Sequence, residues 1–168
     1  MVRFVASWVF RCPYWVYLKG KYPEFDRISR ESVERGMEAE RKFAEILARR
    51  GVRFSYQKWL TLKTRYFSIV GKADFVTGTE VYELKSVRRF REPRRNWIGQ
   101  LNLYMAMSGR KSGAIVEYDG GGFRAYRLTF NRELLEESIS YFHDIYSGKI
   151  RKDHSQCRYC SYSFICLK

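Results

Sequence analysis

Two carboxylates and one lysine fall close together in a stretch whose apolar residues otherwise predict two β-strands. Asp74 lies before a Gly78-Thr79 turn signal, and Glu83 and Lys85 lie after it. Strand alternation puts Glu83 and Lys85 on one face. A two-residue turn of type II′ at Gly78-Thr79 would place Asp74 directly opposite Glu83. Because unpaired charges are costly to bury, three charged groups on one strand face indicate a site.

The chemistry that these groups suit is divalent-metal binding beside a positioned lysine. Hard carboxylate oxygens favour Mg²⁺ or Mn²⁺ over Zn²⁺. The pattern is short, however, and a surface hairpin with a cross-strand salt bridge also explains it. The interpretation therefore depends on what other elements bring to the same place.

A third carboxylate, Glu40, comes from the longest predicted helix. Residues 30–50 have helical periodicity and end at Gly51, a usual residue after a helix C-terminus. Glu40 is three residues after Met37 and four before Ala44, so it shares their face. We expect it to complete the metal site; a position at the edge of the stripe, with its carboxylate in water, is the alternative. The predicted inward stripe is Val33, Met37, Ala44, Leu47 and Ala48, with Phe43 beside it.

A polar pair lies on the next strong helix, predicted over residues 95–108. Gln100 and Tyr104 are at i and i+4 and therefore on one face. They predict a hydrogen-bonded pair that orients a catalytic side chain or holds a phosphate. The polar edge of a core-facing helix is the simpler alternative.

Charge points to a polyanionic partner. The chain of 168 residues has a formal net charge of +14, which favours nucleic acid first and a membrane surface second. A basic segment with interleaved aromatic residues follows the proposed metal-binding strand. Its arginines suit phosphates and its aromatic rings suit unpaired bases, although a solvated basic loop is the alternative. The candidate DNA-binding residues are Arg88, Arg89, Phe90, Arg91, Arg94, Arg95 and Trp97.

Four cysteines lie near the two ends of the chain: Cys12, Cys157, Cys160 and Cys166. With no signal peptide and no apolar run of transmembrane length, we expect a cytoplasmic protein. Disulfides are uncommon there, so the cysteines predict a zinc site or an iron–sulfur cluster that clips the ends together. Unliganded buried thiols are the alternative.

The elements that must position these groups form one α/β (α+β) domain over residues 1–168. The predicted order is α–βββ–α–ββ–α, a mixed central sheet flanked by helices. Residues 1–20 and 150–168 together would form the cysteine region. The predicted elements are a helix over 5–18, a helix over 30–50, two or three strands over 52–86, a helix over 95–108, a hairpin of 113–119 and 123–130, and a helix over 132–147 capped by Asn131.

Taken in order, these segments resemble the RecB-like branch of the PD-(D/E)XK nuclease superfamily. Within it they are most similar to the CRISPR-associated Cas-four exonuclease family, which carries a four-cysteine iron–sulfur cluster. One position departs from the pattern, since the family commonly has histidine where this chain has Glu40. The matching segments are Ser7-Trp-Val-Phe-Arg-Cys12-Pro-Tyr, Gly36-Met-Glu-Ala-Glu40, Gly71-Lys-Ala-Asp74, Glu83-Leu-Lys85, Gln100-Leu-Asn-Leu-Tyr104 and Cys157-x2-Cys160-x5-Cys166.

The resemblance implies a restriction-endonuclease-like fold and Mg²⁺- or Mn²⁺-dependent hydrolysis of DNA phosphodiesters. The metal would lower the pKa of a bound water and neutralise charge on the phosphorane. Lys85 would stabilise the transition state, and Gln100 and Tyr104 would orient the site. The implied ligands of the ion are Glu40, Asp74, Glu83 and the backbone carbonyl of Leu84.

The resemblance also implies a cofactor and partners. The four cysteines would bind a [4Fe–4S] cluster, with [2Fe–2S] or zinc as fallbacks. The substrate would be single-stranded DNA or DNA overhangs, trimmed as prespacers alongside the CRISPR integrase complex. The alternatives are a non-catalytic iron–sulfur DNA-binding or adaptor module, and a viral or DNA-repair nuclease of the same fold. No membrane partner is expected, and the sequence leaves the oligomeric state open.

Overall fold

A computed structural model describes residues 1–26 and 29–166 of the chain. Short 3₁₀ turns at Ala6–Trp8, Pro23–Phe25 and His154–Tyr159 join some of the longer elements. The strands are β1 (Val2–Val5), β2 (Phe54–Lys63), β3 (Phe67–Thr77), β4 (Glu80–Ser86), β5 (Ser112–Tyr118) and β6 (Phe123–Thr129). The helices are α1 (Pro13–Lys21), α2 (Arg30–Arg49), α3 (Arg95–Ser108), α4 (Arg132–Tyr146) and α5 (Ser163–Cys166).

The strands form one mixed sheet in the order β1-β3-β4-β5-β6, with β2 on the other edge of β3. One edge of β3 is shared by two neighbours. Residues 67–70 pair in parallel with β1, and Phe75 and Val76 pair antiparallel with β4. Between these pairings, β3 has no ladder partner on that edge over residues 71–74 of the described chain. This opening between β1, β3 and β4 is called the fork below.

Helices cover both faces of the sheet, which confirms the predicted fold class. On one face α3 and α4 enclose the main core together with the N-terminal segment, and on the other α2 encloses a smaller core. The main core includes Phe4, Ile69, Leu101, Met105, Ile115 and Phe142. The smaller core consists of Ala39, Phe43, Leu47, Phe75, Leu84, Ala114, Val116 and Tyr118.

Helix α2 keeps the predicted bounds but is rotated from the predicted orientation. The Ser29 hydroxyl caps its start by accepting from the N–H of Ser32. The buried row is Ala39, Phe43 and Leu47, whereas Val33 and Met37 of the predicted stripe are 46% and 65% exposed. The observed row differs from the predicted stripe because the ring of Phe43 packs against Phe75 and Tyr82 in the smaller core and so sets the buried face. Glu40, one residue after Ala39, consequently lies at the edge of that face.

The N-terminal prediction of a helix over 5–18 was wrong in its first half. The chain starts with strand β1, in which Phe4 packs against Phe67 and Phe142. Phe10 then takes a left-handed backbone conformation with φ 55°, and the helix begins only at Pro13, whose fixed φ and missing N–H suit that position. The strands β1 and β3 are more than sixty residues apart in sequence. Local periodicity could therefore not predict that they pair.

The turn between β3 and β4 has the predicted length and register but not the predicted type. Phe75 pairs with Tyr82 and Val76 with Val81, as a two-residue turn requires. A type II′ turn needs a positive φ at its first central residue, and Gly78 is not among the glycines with positive φ. The hydroxyl of Thr77 closes the turn instead, because it accepts from the N–H groups of Thr79 and Glu80.

The remaining predicted elements are confirmed. Helix α3, the β5–β6 hairpin and helix α4 lie within one or two residues of the expected bounds. The side chain of Asn131 caps α4 by accepting from the N–H of Leu134. None of the helices in residues 1–26 and 29–166 is both long enough and apolar enough to cross a membrane.

Candidate active site

The fork places Asp74 where β4 separates from β3. Asp74 is in register with Glu83, but the ladder ends one pair earlier, at Phe75 and Tyr82. In place of a ladder bond, Asp74 Oδ2 accepts from the backbone N–H of Leu84 at 2.7 Å. Asp74 therefore links β3 and β4 through its side chain at the point where their ladder ends.

The strand on the other side of Asp74 is also irregular. Gln57 of β2 lies opposite Asp74, yet it is missing from an otherwise continuous ladder and has φ 47°. In β3, Ala73 and Val76 both belong to the main core although strict alternation would put residues three apart on opposite faces. Such departures from regular pairing re-aim side chains and are common beside active sites. Here the side chain that they re-aim is that of Asp74.

Glu83 and Lys85 share a face, as strand alternation predicted. Lys85 Nζ donates to Glu83 Oε1 at 2.7 Å and to Gln100 Oε1 at 3.0 Å. Gln100 Nε2 donates to the same Glu83 oxygen at 2.8 Å. Glu83 is only 4% exposed, and its second oxygen, Oε2, has no hydrogen-bond partner in the described part of the chain. A buried carboxylate oxygen without a donor is costly, so this atom suits a cation.

The raised pKa values of Asp74 and Glu83 also indicate a cation site. Burial, followed by the charge of Glu83, raises the pKa of Asp74 to about 8, against the opposing effects of the Leu84 N–H and of Lys85. Burial also raises the pKa of Glu83, although the Lys85 ammonium lowers it. The half-buried Asp74 and the buried Glu83 share a single ammonium, so they lack compensating positive charge. Their donor chemistry fits a Mg²⁺ or Mn²⁺ ion.

Asp74 and Glu83 do not make a complete metal site by themselves. Across residues 1–26 and 29–166, no three histidine, cysteine or acidic side chains are grouped so that they could hold an ion. Glu40 is the third carboxylate that the sequence predicted for this site. Its charge contributes, after burial and closer groups, to the raised pKa values of Asp74 and Glu83.

Glu40 is held at the rim of the site by β2. The hydroxyl of Tyr56 and the amide of Gln57 both donate to Glu40 Oε2, the latter at 3.0 Å. Gln57 was not singled out from the sequence. Its left-handed backbone has no signature there, because glutamine rarely adopts that conformation. The structure shows that Gln57 turns its amide towards Glu40.

Gln100 and Tyr104 form the predicted pair under the fork. Gln100 Nε2 lies 3.1 Å from the Tyr104 hydroxyl, which lies 3.4 Å from the carbonyl of Lys72. A Cβ atom at Gly71 would be 2.5 Å from Tyr104 Cε1, so only glycine lets the tyrosine ring enter the fork. Burial raises the pKa of Tyr104, and the ring remains a neutral hydrogen-bonding support for Gln100.

The basic segment over residues 88–97 lies beside the fork. Its five arginines are exposed, and Phe90 and Trp97 are half-buried. The guanidinium of Arg94 and the ammonium of Lys85 lie 5.1 and 5.7 Å from the centroid of Trp97. Trp97 therefore connects the candidate DNA-binding segment with the lysine of the site.

Glu117 and Tyr126 anchor this segment at Arg91, and neither residue was singled out from the sequence. Glu117 of β5, in register with Lys85, is fully buried and accepts from the Arg91 N–H at 3.2 Å. The Tyr126 hydroxyl donates to the Arg91 carbonyl at 2.6 Å. An acid inside the apolar strand Ala-Ile-Val-Glu-Tyr was a visible signal for Glu117. Tyr126 had none, because tyrosine is common in strands.

The cysteine region joins the two ends of the chain. All four cysteines are free thiols and line one cavity of about 490 Å³, which Arg94 and Trp97 also line. The Tyr14 N–H donates to the Arg151 carbonyl at 3.2 Å, and the Asp153 N–H lies 3.2 Å from the Cys12 sulfur. Desolvation, followed by the other three cysteines, raises the pKa of the Cys157 thiol. No three of these thiols are grouped closely enough in the described residues to hold an ion. The cavity therefore brings together the residue type that iron–sulfur clusters and zinc prefer, without the geometry of a formed site.

Comparison with known proteins relates the fold to exonucleases. No protein-family model and no curated protein match the chain. A solved structure designated SSO0001 has a TM-score of 0.83 and 18% identity, covering 99% of this chain and 86% of its own. The alkaline exonuclease LHK-Exo from Laribacter hongkongensis has a TM-score of 0.67 and 18% identity, covering 87% of both chains.

A phage-related exonuclease from Haemophilus somnus 129PT is a third structural relative. Its TM-score is 0.58 at 12% identity, with 79% of this chain and 78% of its own covered. At identities this low the likeness shows a shared fold. This chain has the mixed α/β architecture in which those exonucleases are built.

Proposed function

We propose that the protein is a Mg²⁺- or Mn²⁺-dependent deoxyribonuclease that acts as an exonuclease on single-stranded DNA or DNA overhangs. The observation that carries the proposal is the half-buried Asp74 and the buried Glu83 beside Lys85, with one oxygen of Glu83 lacking a hydrogen-bond partner in the described residues. The shared fold with an alkaline exonuclease and a phage-related exonuclease supports it. The arginines next to the fork supply charge for a polyanionic substrate.

The ion would be held by the carboxylates of Asp74 and Glu83, the Leu84 carbonyl and Glu40. When bound, it supplies Lewis-acid charge on the phosphate and makes water a stronger acid. The protein groups have separate tasks. Asp74 fixes the strand register through Leu84, and Gln100 fixes the rotamer of Glu83, so the two carboxylates are preorganised.

Lys85 would stabilise negative charge that develops on the phosphate. Its ammonium is already held by Glu83 and Gln100, and an ammonium has three donors. The third can point towards a substrate at the mouth of the fork. A fixed donor in a partly buried site stabilises a transition state more than the same group in water. Gln100 and Tyr104 are positioning residues that keep Lys85 in place.

The cysteine region would bind a [4Fe–4S] cluster, with [2Fe–2S] or zinc as fallbacks. The support is the set of four free thiols around one cavity and the motif order described above. The same motif order supports a finer role, trimming of prespacers beside the CRISPR integrase complex. A viral or repair nuclease would show the same chemistry on other substrates.

A cleavage assay tests the proposal directly. End-labelled single strands, duplexes with overhangs and blunt duplexes are incubated with Mg²⁺, with Mn²⁺ and with a chelator. The proposal expects shortening of single strands and overhangs that requires the metal, and little action on blunt duplexes. Binding of the same DNA without cleavage, under every divalent ion, would instead identify a non-catalytic DNA-binding or adaptor module.

A further inference from the structure

A cationic sheet face lies on β1, β2 and β3, away from the main core. Register places Arg3, Ser68 and Lys63 in one cross-strand row, and Lys72 beside Trp59 in another. The rows are four residues apart along each strand, or about 13 Å. We call Arg3, Trp59, Lys63 and Lys72 the tryptophan face.

The tryptophan face is open to solvent and basic. Trp59 is 70% exposed, and Arg3, Lys63 and Lys72 are exposed as well. A shallow cavity of about 420 Å³ lies between Arg3, Trp59 and Lys63, above Ser68, and none of its lining residues is acidic. An exposed aromatic ring surrounded by cations offers a stacking surface and positive charge in one place, which suits a ligand that has flat bases and phosphates.

Hydrogen bonds connect this face to the candidate active site. Lys72 Nζ lies 5.9 Å from the centroid of Trp59 and donates to Gln57 Oε1 at 2.9 Å. Gln57 in turn donates to Glu40 Oε2. Lys72, which a ligand on this face would contact, is thus two hydrogen bonds away from Glu40, one of the proposed metal-binding carboxylates.

We propose that the tryptophan face binds single-stranded DNA, with a base stacked on Trp59 and phosphates paired with Lys63, Lys72 and Arg3. Charge complementarity selects the polyanion, and the exposed indole selects unpaired bases, which offer a free π-face. The single DNA strand would then contact the protein on two surfaces, the tryptophan face and the basic segment over residues 88–97. As a substrate path the inference rests on the proposed nuclease function, whereas the binding itself needs no cleavage.

Fluorescence anisotropy of a labelled 20-mer in the presence of a chelator tests the binding. Trp59→Ala should weaken single-strand affinity about 5- to 150-fold, the usual effect of losing one stacked base, and Trp59→Phe should restore part of it. Lys63→Gln should make the slope of log K against log salt shallower by about 0.7. Tyr17→Ala and Lys149→Gln, which alter an exposed aromatic and an exposed lysine elsewhere, serve as matched controls and should leave both quantities unchanged.

Photocrosslinking of a bromouracil-substituted single strand gives a second readout, with Trp59 as the expected adduct. Unchanged affinity in Trp59→Ala together with no adduct on this face would overturn the inference. So would a change in self-association instead of DNA binding, which would mark a contact between copies of the chain. If Trp59→Ala weakens single-strand binding but the wild-type protein cleaves no DNA, the nuclease proposal is refuted and the binding surface is supported.

Discussion

At the scale of single residues, the fork brings two carboxylates together, one half-buried and one buried, where water screens their charges poorly. Asp74 is occupied on one oxygen by the Leu84 N–H, and Glu83 on one oxygen by Lys85 and Gln100. The charge that remains unpaired is negative, on a surface whose overall charge is strongly positive. This local reversal of sign distinguishes a cation site from an ordinary salt bridge, and it makes the site sensitive to pH.

Asp74→Asn should stabilise the metal-free protein increasingly as pH rises. The folded-state pKa of Asp74 is raised to about 8 from 3.8, so its stabilising contribution is complete below pH 3.8 and is lost as pH rises through about 8. Thermal unfolding in a chelator at pH 5, 7 and 9 should therefore show a growing advantage of the variant over the wild type. Asp144→Asn, an exposed control, should show a constant difference. An Asp74→Asn difference independent of pH would contradict the electrostatic account.

Glu40→His should shift the metal preference from Mg²⁺ towards Mn²⁺. Mg²⁺ prefers oxygen ligands, whereas Mn²⁺ accepts imidazole nitrogen more readily. We expect the ratio of cleavage rates in Mn²⁺ and Mg²⁺ to rise by about tenfold, the lower range for a changed partner at a metal site. Glu45→His, on the exposed side of the same helix, should leave the ratio unchanged. An unchanged ratio in Glu40→His would place Glu40 outside the metal site.

At the scale of elements, the site depends on interruptions in regular structure. The shared edge of β3 creates the fork, Gly71 admits Tyr104 into it, and Gln57 breaks the ladder opposite Asp74. The basic segment is likewise fixed at one peptide, since Glu117 accepts from the N–H of Arg91 and Tyr126 donates to its carbonyl. The anchored peptide fixes the middle of the segment, and Trp97 at its end lies beside both Arg94 and Lys85.

Tyr126→Phe should loosen the basic segment without altering the chemistry. Loss of one hydrogen bond of about 0.5–1.5 kcal/mol should raise KM for single-stranded DNA about 2- to 10-fold, with kcat retained. Hydrogen exchange at the Arg91 amide should become faster in the free protein. Tyr66→Phe, whose hydroxyl lies far from this segment, is the control. An unchanged exchange rate would show that the anchor has no role.

Local signals in the sequence were sufficient to predict most helices and strands and the relative positions of the residues at the fork. Helix caps, the two-residue turn length and strand alternation placed Asp74, Glu83, Lys85 and the Gln100–Tyr104 pair correctly, because each depends on neighbours within a few positions. The errors arose where distant contacts decide. Strand β1 exists because Phe4 packs on Phe67 and Phe142, and α2 is rotated because Phe43 enters the smaller core. The anchor residues Glu117 and Tyr126 acquire their role only from a loop that folds back onto them.

At the scale of the whole molecule, the segment around Cys12 contacts residues 151–153 near the other end of the described chain. Cys12 approaches residues 151–153, and the four thiols line a cavity that reaches Arg94 and Trp97 of the basic segment. A metal centre there would connect the closure of the fold with the surface proposed to bind DNA. Such a centre would make the stability of the whole domain dependent on the cofactor.

Cys12→Ser should release the N-terminal end from the cysteine cavity. Cross-linking a loop of more than 100 residues stabilises a fold by about 5 kcal/mol, so Tm should fall by about 10–20 °C. The wild type should be brown with a broad visible absorption band and contain iron, and the variant should lose most of both. In protein stripped of metal the same substitution should have little effect. A colourless, zinc-containing wild type would replace the iron–sulfur assignment by a zinc site.

The central claim is that Asp74 and Lys85 carry out metal-dependent cleavage of DNA, and single-turnover cleavage of a labelled single strand tests it most directly. With Mg²⁺ or Mn²⁺, Asp74→Ala and Lys85→Ala should each lower the rate by about 100- to 1,000-fold or more while the circular dichroism spectrum stays that of the wild type. The matched controls Asp144→Ala and Lys149→Ala, drawn from an exposed ion pair, should cleave at the wild-type rate. Wild-type cleavage by both Asp74→Ala and Lys85→Ala would contradict the account.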